Sequence, residues 1–379
     1  MSLRSRFSAK VDKKIVLTGG HAATTALAVY EELTKRTKNK KRWDVYFIGS
    51  AYAVEGLKVP TLEATIFSKI GVPFHSIITG RVQRKITFWT IPSLLKIPIG
   101  FLHAFYLLFK IKPDIIVSFG GFAAFPVVVM GWVLRIPIII HEQTASIGRA
   151  NLLSSPFASL IAVARYQSVK YFPKKNVKVV GNPVLSNVIS TPPKQKIGNP
   201  PVIYITGGSR GSQPLNKVVK EILKDLLRKY KVIHHTGYFD YPKFIQIRNS
   251  LEDDLKERYI VHEIIDPFDI ADIYKKSDII ISRAGANTVS EIIITKLPAI
   301  LIPIPFSYKN EQTKNAQIAK EFGLARVITQ DNLSKESLNN EINWVIHNWL
   351  NIKKRAINKK SPDLYAAQKL VNFIEQTRL

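Results

Sequence analysis

Residues 202–211 read VIYITGGSRG: an apolar, mostly β-branched run, Val202-Ile203-Tyr204-Ile205-Thr206, followed by Gly207-Gly208-Ser209-Arg210-Gly211. A short run with no charged interruption suits a strand covered on both faces, as in a parallel sheet. The glycines behind it suit a strand-to-helix turn, since glycine adopts positive φ and lets backbone approach a ligand closely. The pattern recurs at Thr18-Gly19-Gly20-His21, at Gly120-Gly121-Phe122 and at Arg283-Ala284-Gly285-Ala286-Asn287-Thr288. Strands are predicted at 14–17, 43–48, 114–119 and 136–140, then at 202–206, 231–235, 259–262, 278–282 and 299–303. With helical segments between them, this alternation predicts an α/β protein.

A chain of 379 residues exceeds one ordinary core and is comfortable for two. The stretch 191–201 holds Pro192, Pro193, Pro200 and Pro201 among polar residues and reads as a linker, with a hinge near 183–201. The expected organisation is a Rossmann-like domain over 1–190, a second over 191–357, and a final helix, about 358–379, packing back on the first. Two doubly wound domains facing across a cleft place a ligand where the carboxyl ends of their strands meet.

Hydrophobic residues at 46% and charged residues at 22% suit a folded chain. With no cysteine, a disulfide scaffold, a thiolate metal site and a cysteine nucleophile are excluded. The basic N-terminus runs straight into KIVLTGG and lacks the apolar core of a secretory signal, so a cytoplasmic location is expected. Residues 115–134 carry no charge over a length that could span a bilayer, but Gly120, Gly121 and Pro126 break them into a strand, a turn and a helix start.

The 55 basic residues against 28 acidic ones give a net charge of +27, a field that attracts anionic polymers or anionic membrane surfaces. Runs such as 35–42 are equally what a lysine-rich solvated face looks like. Arg81, Arg84 and Lys85 precede 91–109, a stretch rich in Leu, Ile, Phe and Tyr that is interrupted by Lys96, Pro98 and His103. Basic residues beside such a segment suit docking on anionic headgroups, and a pair of core helices is the plainer reading. No turn has the spacing of a P-loop or of a dinucleotide fingerprint with its acidic residue, so NTPase and dehydrogenase readings lose ground.

The order of the blocks TGGH, PDIIVSFGGFAAFP, IPIIIHEQ, VVGNPV, GGSRGSQPLN, RAGANTVSE and EQTKNA, spread over nearly the whole chain, resembles the MurG family of glycosyltransferases. The resemblance implies a GT-B fold and inverting transfer of N-acetylglucosamine from UDP-N-acetylglucosamine to the 4-hydroxyl of a lipid-linked muramyl-peptide acceptor. It implies work at the cytoplasmic face of the membrane as a peripheral protein, on an anionic membrane surface, with no cofactor, no metal and no nucleic acid partner.

Carried over by position, Glu291 would accept from the ribose hydroxyls of UDP. Gly207, Gly208, Ser209 and Gly211 would approach the donor diphosphate, and Arg283, Gly285, Ala286 and Thr288 would form the second phosphate turn at a helix start. Gln312 and Asn315 would read hydroxyls of the transferred sugar. Thr18, Gly19, Gly20, Gly120, Gly121, Glu142 and Asn182 fall on the acceptor side. His21 is the catalytic candidate, as general base toward the attacking hydroxyl or as a group that positions the acceptor diphosphate.

The chain departs from the family pattern in a first glycine loop shorter than GGTGGH and in Thr144, Leu185 and Glu311. These changes bear on acceptor phosphate binding and on the sugar site; Arg210 could replace the charge missing at Leu185. The competing readings are another UDP-sugar enzyme of this fold, a lipid glycosyltransferase or a UDP-sugar 2-epimerase, and a non-catalytic basic membrane- or nucleic-acid-binding protein.

Overall fold

The structure is a computed structural model and describes residues 13–20, 22–37, 43–54, 57–78, 80, 90–172 and 175–377. It divides into two compact units, Met1–Pro183 with Tyr365–Leu379, and Val184–Leu364.

The first unit runs β1 (Lys13–Thr18), α1 (Ala23–Thr37), β2 (Trp43–Gly49), β3 (Tyr52–Val54), β4 (Leu57–Pro60), α2 (Leu62–Lys69), β5 (Phe74–Ser76) and α3 (Thr90–Ile111). It continues with β6 (Ile115–Ser118), α4 (Ala124–Val133), β7 (Ile138–Glu142), α5 (Arg149–Ser154), β8 (Leu160–Val163) and β9 (Val177–Val179). Seven strands form a parallel sheet in the order β5-β2-β1-β6-β7-β8-β9, with β3 and β4 as a separate antiparallel pair. Ile15, Val16, Leu17 and all of Ile115–Ser118 are buried, as uninterrupted apolar strands require when helices cover both faces. The chain moves outward from β1 to β5 and returns beside β1 as β6, so the switch point lies between β1 and β6.

Residues 115–134 thus form a strand, a turn and a helix, and among the described residues no helix is long and apolar enough to cross a membrane. α3 is one helix running through Pro98 rather than a pair of core helices. Its Ala104, Leu107, Leu108 and Ile111 are buried at helical spacing, while Leu102, Tyr106 and Phe109 on other faces are exposed.

The second unit runs α6 (Ser186–Ile189), β10 (Val202–Thr206), α7 (Gln213–Lys229), β11 (Lys231–His235), α8 (Tyr241–Asn249), α9 (Asp253–Glu257), β12 (Tyr259–His262) and α10 (Ile270–Lys276). There follow β13 (Ile279–Ser282), α11 (Ala286–Thr295), β14 (Ala299–Leu301), α12 (Glu311–Phe322), β15 (Ala325–Val327), α13 (Lys335–His347) and α14 (Trp349–Ala356). The six strands are parallel in the order β12-β11-β10-β13-β14-β15, which puts this switch point between β10 and β13. α7 shows why the helices sit where they do: Leu215, Val218, Val219, Ile222, Leu223, Leu226 and Leu227 recur every three or four residues and are buried, and Pro214 stands in its first turn.

The proline-rich stretch read as a linker is an ordered strap on the second unit. The buried Asp278 carboxylate accepts from Gly198 N at 3.0 Å, Val202 N at 2.8 Å and Lys194 Nζ at 2.8 Å. Asn187 Nδ2 donates to the Phe268 carbonyl at 2.9 Å, so the division falls after Pro183 rather than at 190. Proline composition flagged missing backbone donors, but not the buried carboxylate that gathers the remaining ones.

The final helix, α15 (Ala366–Gln376), belongs to the first unit. Leu370, Val371 and Ile374 enter the core with Val29 and Leu33 of α1. Arg36 of α1 donates to Asn372 Oδ1 at 2.7 Å and Glu375 Oε2 at 2.9 Å.

Candidate active site

In the second unit both turns at the switch point are built to leave helix starts uncapped. Gly211 has φ +75°, and a Cβ there would lie 2.0 Å from the Thr236 carbonyl oxygen; Gly207 leaves no more room, with Ser212 N 2.2 Å from its virtual Cβ. The loop 207–211 is thus seated on the Thr236-Gly237 turn after β11. Thr206 Oγ1 accepts from Gly208 N at 3.0 Å and bonds His235 Nδ1 at 3.1 Å, while Ser209 is exposed. Ser212 is the N-cap residue of α7 and Gly285 that of α11, and no side chain caps either start. Amides and the helix dipole at such starts favour an anion.

Arg283 ties these starts together. Its buried guanidinium donates to Ser212 Oγ at 2.9 Å, the Ile302 carbonyl at 3.1 Å and Gln330 Oε1 at 2.7 Å. All three acceptors are neutral, and burial holds the group below the usual arginine range. Arg283 is therefore a clip across three strand ends that also carries positive charge beneath the two glycine turns.

Ala286 and Thr288 lie in the first turn of α11, half-buried, and Glu291 one turn further on is 8% exposed. Burial pushes its carboxyl up to about 7, opposed by a bond from Tyr274 Oη at 2.6 Å. The partner of Glu291 is thus a buried phenol. Gln312 Oε1 accepts from Ile304 N at 3.1 Å, and the buried Asn315 donates to the Ala284 carbonyl at 3.2 Å. Both amides so far hold the loops around the turn. The structure brings Gly207, Gly208, Ser209, Gly211, Arg283, Gly285, Ala286, Thr288 and Asn315 around the neighbouring ends of β10 and β13, with Glu291 and Gln312 on the helices that follow.

In the first unit the two glycine turns touch. Gly20 N donates to the Gly120 carbonyl at 2.9 Å, and a Cβ on Gly121 would lie 2.7 Å from Gly20 N. Thr18 is buried at the end of β1 beside Ser118. His21 lies outside the described residues, as do Arg81, Arg84 and Lys85. Glu142 is fully engaged in scaffolding: it accepts from Thr144 N at 3.0 Å, Thr144 Oγ1 at 2.7 Å, Gly148 N at 2.9 Å and Asn151 Nδ2 at 2.9 Å. The buried Asn182 follows Gly181, whose carbonyl bonds His141 Nε2 at 3.0 Å.

Several residues at these sites went unread in the sequence. Glu63, buried on α2, accepts from Ala22 N at 2.9 Å, so a carboxylate stands at the start of α1 where the resemblance puts acceptor phosphate. Asn151 lies under Gly120, whose virtual Cβ would be 2.8 Å from its Oδ1. His234 bonds Tyr259 Oη at 2.8 Å and Asn216 Oδ1 at 3.1 Å, and Asn216 Nδ2 donates to the Thr236 carbonyl at 2.9 Å, bracing α7 on β11. Burial lowers His234 to about 3 and His235 to about 4, the latter helped by His262. Consecutive histidines ending an apolar strand were the available signal for this brace; nothing local marked Glu63. Among the described residues no three His, Asp or Glu side chains converge to hold a metal ion.

Two doubly wound parallel sheets, each with glycine turns at its switch point, make this an α/β protein of the GT-B fold class. The chain belongs to glycosyltransferase family 28: residues 18–163 match the family's N-terminal domain and residues 202–371 its C-terminal domain. It is 32% identical over 376 residues to the UDP-N-acetylglucosamine–N-acetylmuramyl-(pentapeptide) pyrophosphoryl-undecaprenol N-acetylglucosamine transferase 2 of Bacillus anthracis, covering 96% of this chain and 99% of that one. The crystal structure of Acinetobacter baumannii MurG matches with a TM-score of 0.66 at 23% identity, over 96% of this chain and 100% of that one. The UDP-GlcNAc 2-epimerase of Neisseria meningitidis bound to UDP-GlcNAc matches with a TM-score of 0.68 at 13% identity, over 96% and 100%. At those identities the two structures speak for the fold alone.

Proposed function

We propose that this glycosyltransferase moves N-acetylglucosamine from UDP-N-acetylglucosamine to the 4-hydroxyl of an undecaprenyl-pyrophosphoryl-muramyl-pentapeptide, with inversion at the anomeric carbon. The observation that carries the reading is the end-to-end match, at 32% identity, to a transferase whose name states that reaction. The geometry supports it: α7 and α11 begin side by side without side-chain caps and with the Arg283 cation between them, which suits the diphosphate of a leaving nucleotide. In this reading Glu291 holds the ribose, Gln312 and Asn315 face the sugar, and the first unit receives the acceptor through the paired turns Gly19-Gly20 and Gly120-Gly121. His21, directly after Gly20, is assigned to the attacking hydroxyl as base or as positioner. Catalysis comes from orientation and from stabilising departing UDP.

The protein works at the membrane as a peripheral enzyme, on its cytoplasmic face. Leu102 is 73% and Phe109 61% exposed on α3, with the Lys112 ammonium 5.8 Å from the Phe109 ring centre. Apolar side chains beside basic ones suit an anionic leaflet. Incubation with UDP-N-acetylglucosamine, with and without a short-chain lipid-linked muramyl-pentapeptide, tests the function. UDP release that requires the acceptor supports transfer; formation of a 2-epimer without acceptor replaces it with epimerisation.

A further inference from the structure

The Tyr274 hydroxyl donates to Glu291 Oε2 at 2.6 Å, within the range of a charge-assisted O–H···O⁻ bond. Tyr274 comes from α10 and Glu291 from α11, and both are buried. The Tyr274 ring meets Tyr204 of β10 edge-on, with centroids 6.0 Å apart and planes at 77°, so the phenol has little freedom to turn away. Among the described residues Glu291 makes no ion pair, and α6, which packs on α11, has no titratable side chain over Ser186–Ile189. The titratable groups that face the carboxylate are the two tyrosines, and burial raises both, so they stay neutral donors.

A vicinal diol needs two acceptor positions held at a fixed separation. A carboxylate offers two oxygens and about four lone-pair sites. A bond to one oxygen stops rotation of the group and leaves the other oxygen in a defined place. We propose that Tyr274 is a positioning residue for nucleotide recognition, its hydroxyl fixing the Glu291 carboxylate so that the remaining acceptor positions meet the ribose diol of a uridine nucleotide. The inference rests on the assignment of Glu291 to the ribose and adds the residue that makes that carboxylate selective.

Its charge state follows from the same arrangement. Burial favours protonated Glu291 and the Tyr274 bond favours the carboxylate, which places the change near neutral pH. Uridine nucleotide binding therefore strengthens as pH rises through about 7. Without the Tyr274 hydroxyl that rise moves to higher pH.

Calorimetric titration of the full chain with UDP and with 2′,3′-dideoxy-UDP, between about pH 5.5 and 8.5, tests this in wild type, Tyr274→Phe and Glu291→Gln. Tyr274→Phe keeps the ring and its packing. It is expected to weaken UDP about fivefold at neutral pH, leave the dideoxy nucleotide unchanged and shift the pH profile upward. Glu291→Gln cannot titrate, so its profile records the phosphate groups of UDP alone and serves as the baseline. If Glu291→Gln binds UDP like wild type, the ribose assignment itself fails. If Glu291→Gln weakens UDP while Tyr274→Phe matches wild type in affinity and profile, the positioning role is overturned and the ribose assignment stands. Equal weakening of both nucleotides by Tyr274→Phe, with no pH shift, also overturns it.

Discussion

Arg283 Nε donates to the Ser212 hydroxyl at 2.9 Å, so the residue that follows β13 holds the N-cap residue of α7. The two helix starts at the switch point of the second unit are therefore one construction. A buried cation with three neutral acceptors is also a site where an anion gains a charge partner that the folded protein itself does not supply.

Arg283→Met removes the clip and leaves Ser212, the Ile302 carbonyl and Gln330 without their donor, at a cost of about 3 kcal/mol of stability together with weaker UDP binding. Arg283→Lys keeps the charge without the planar fork and should lie between wild type and Arg283→Met in both respects. Urea unfolding and UDP calorimetry check this. A Met variant with wild-type stability and affinity would rule out the clip.

The glycines of the 207–211 turn are unequal. Gly211→Ala drives a methyl into the Thr236 carbonyl and should unseat the loop, abolishing measurable UDP binding. Gly208→Ala meets open space at φ +81° and should cost only about 1 kcal/mol of backbone strain. If the two variants bind UDP alike, the loop is not held by this contact.

His234 and His235 titrate below the usual 6.5 because they are buried, so an unfolded chain takes up protons in mild acid that the folded chain does not. Their contribution to stability is complete above pH 6.5 and is lost as pH falls toward about 4, by about 1.4 kcal/mol per pH unit for each histidine. Glu291, raised to about 7, contributes in the opposite sense: fully below about 4.5, and lost as pH rises through 7. His235→Gln should therefore flatten the acid loss by roughly one proton. Urea midpoints from pH 7 to 4.5 that stay parallel for wild type and variant would contradict the buried neutral state.

On α3, Leu102→Ser with Phe109→Ser should lower binding to phosphatidylglycerol vesicles at least tenfold, since each side chain loses up to about 1.5 kcal/mol or more of apolar transfer. UDP affinity should not change. Neutralising Arg81, Arg84 and Lys85 should remove instead the salt-sensitive part, about 1 kcal/mol for each charge. Vesicle co-sedimentation across a salt series separates the two. Unaltered binding by the serine pair would place the docking face elsewhere.

Strands 202–206, 231–235 and 259–262 were legible to the residue, because short runs centred on β-branched residues and set between helical segments leave little choice of period. The edge strands β5, β9 and β15, three residues each, were not predicted: so short a run carries no period. The glycine turns announced themselves through composition. Their partners did not, since Glu63 and Asn151 in the first unit and Tyr274 and Gln330 in the second come from distant elements, 17 to 47 positions from the residues they bond in the cases of Tyr274, Gln330 and Glu63. The strap 184–201 misled for a related reason: proline composition reports missing donors, while Asp278, some 80 positions on, decides that the segment is held.

The most direct test of the proposed reaction follows radiolabelled N-acetylglucosamine from UDP-N-acetylglucosamine into an extractable lipid-linked muramyl-pentapeptide, for wild type beside Glu291→Ala. Wild type should give a labelled lipid disaccharide with one UDP released per sugar transferred, and Glu291→Ala should need at least about tenfold more donor for the same rate, as loss of charge-assisted bonds predicts. No labelled lipid from a folded, UDP-binding wild-type protein, or a label recovered only as free 2-epimer, would contradict the assignment.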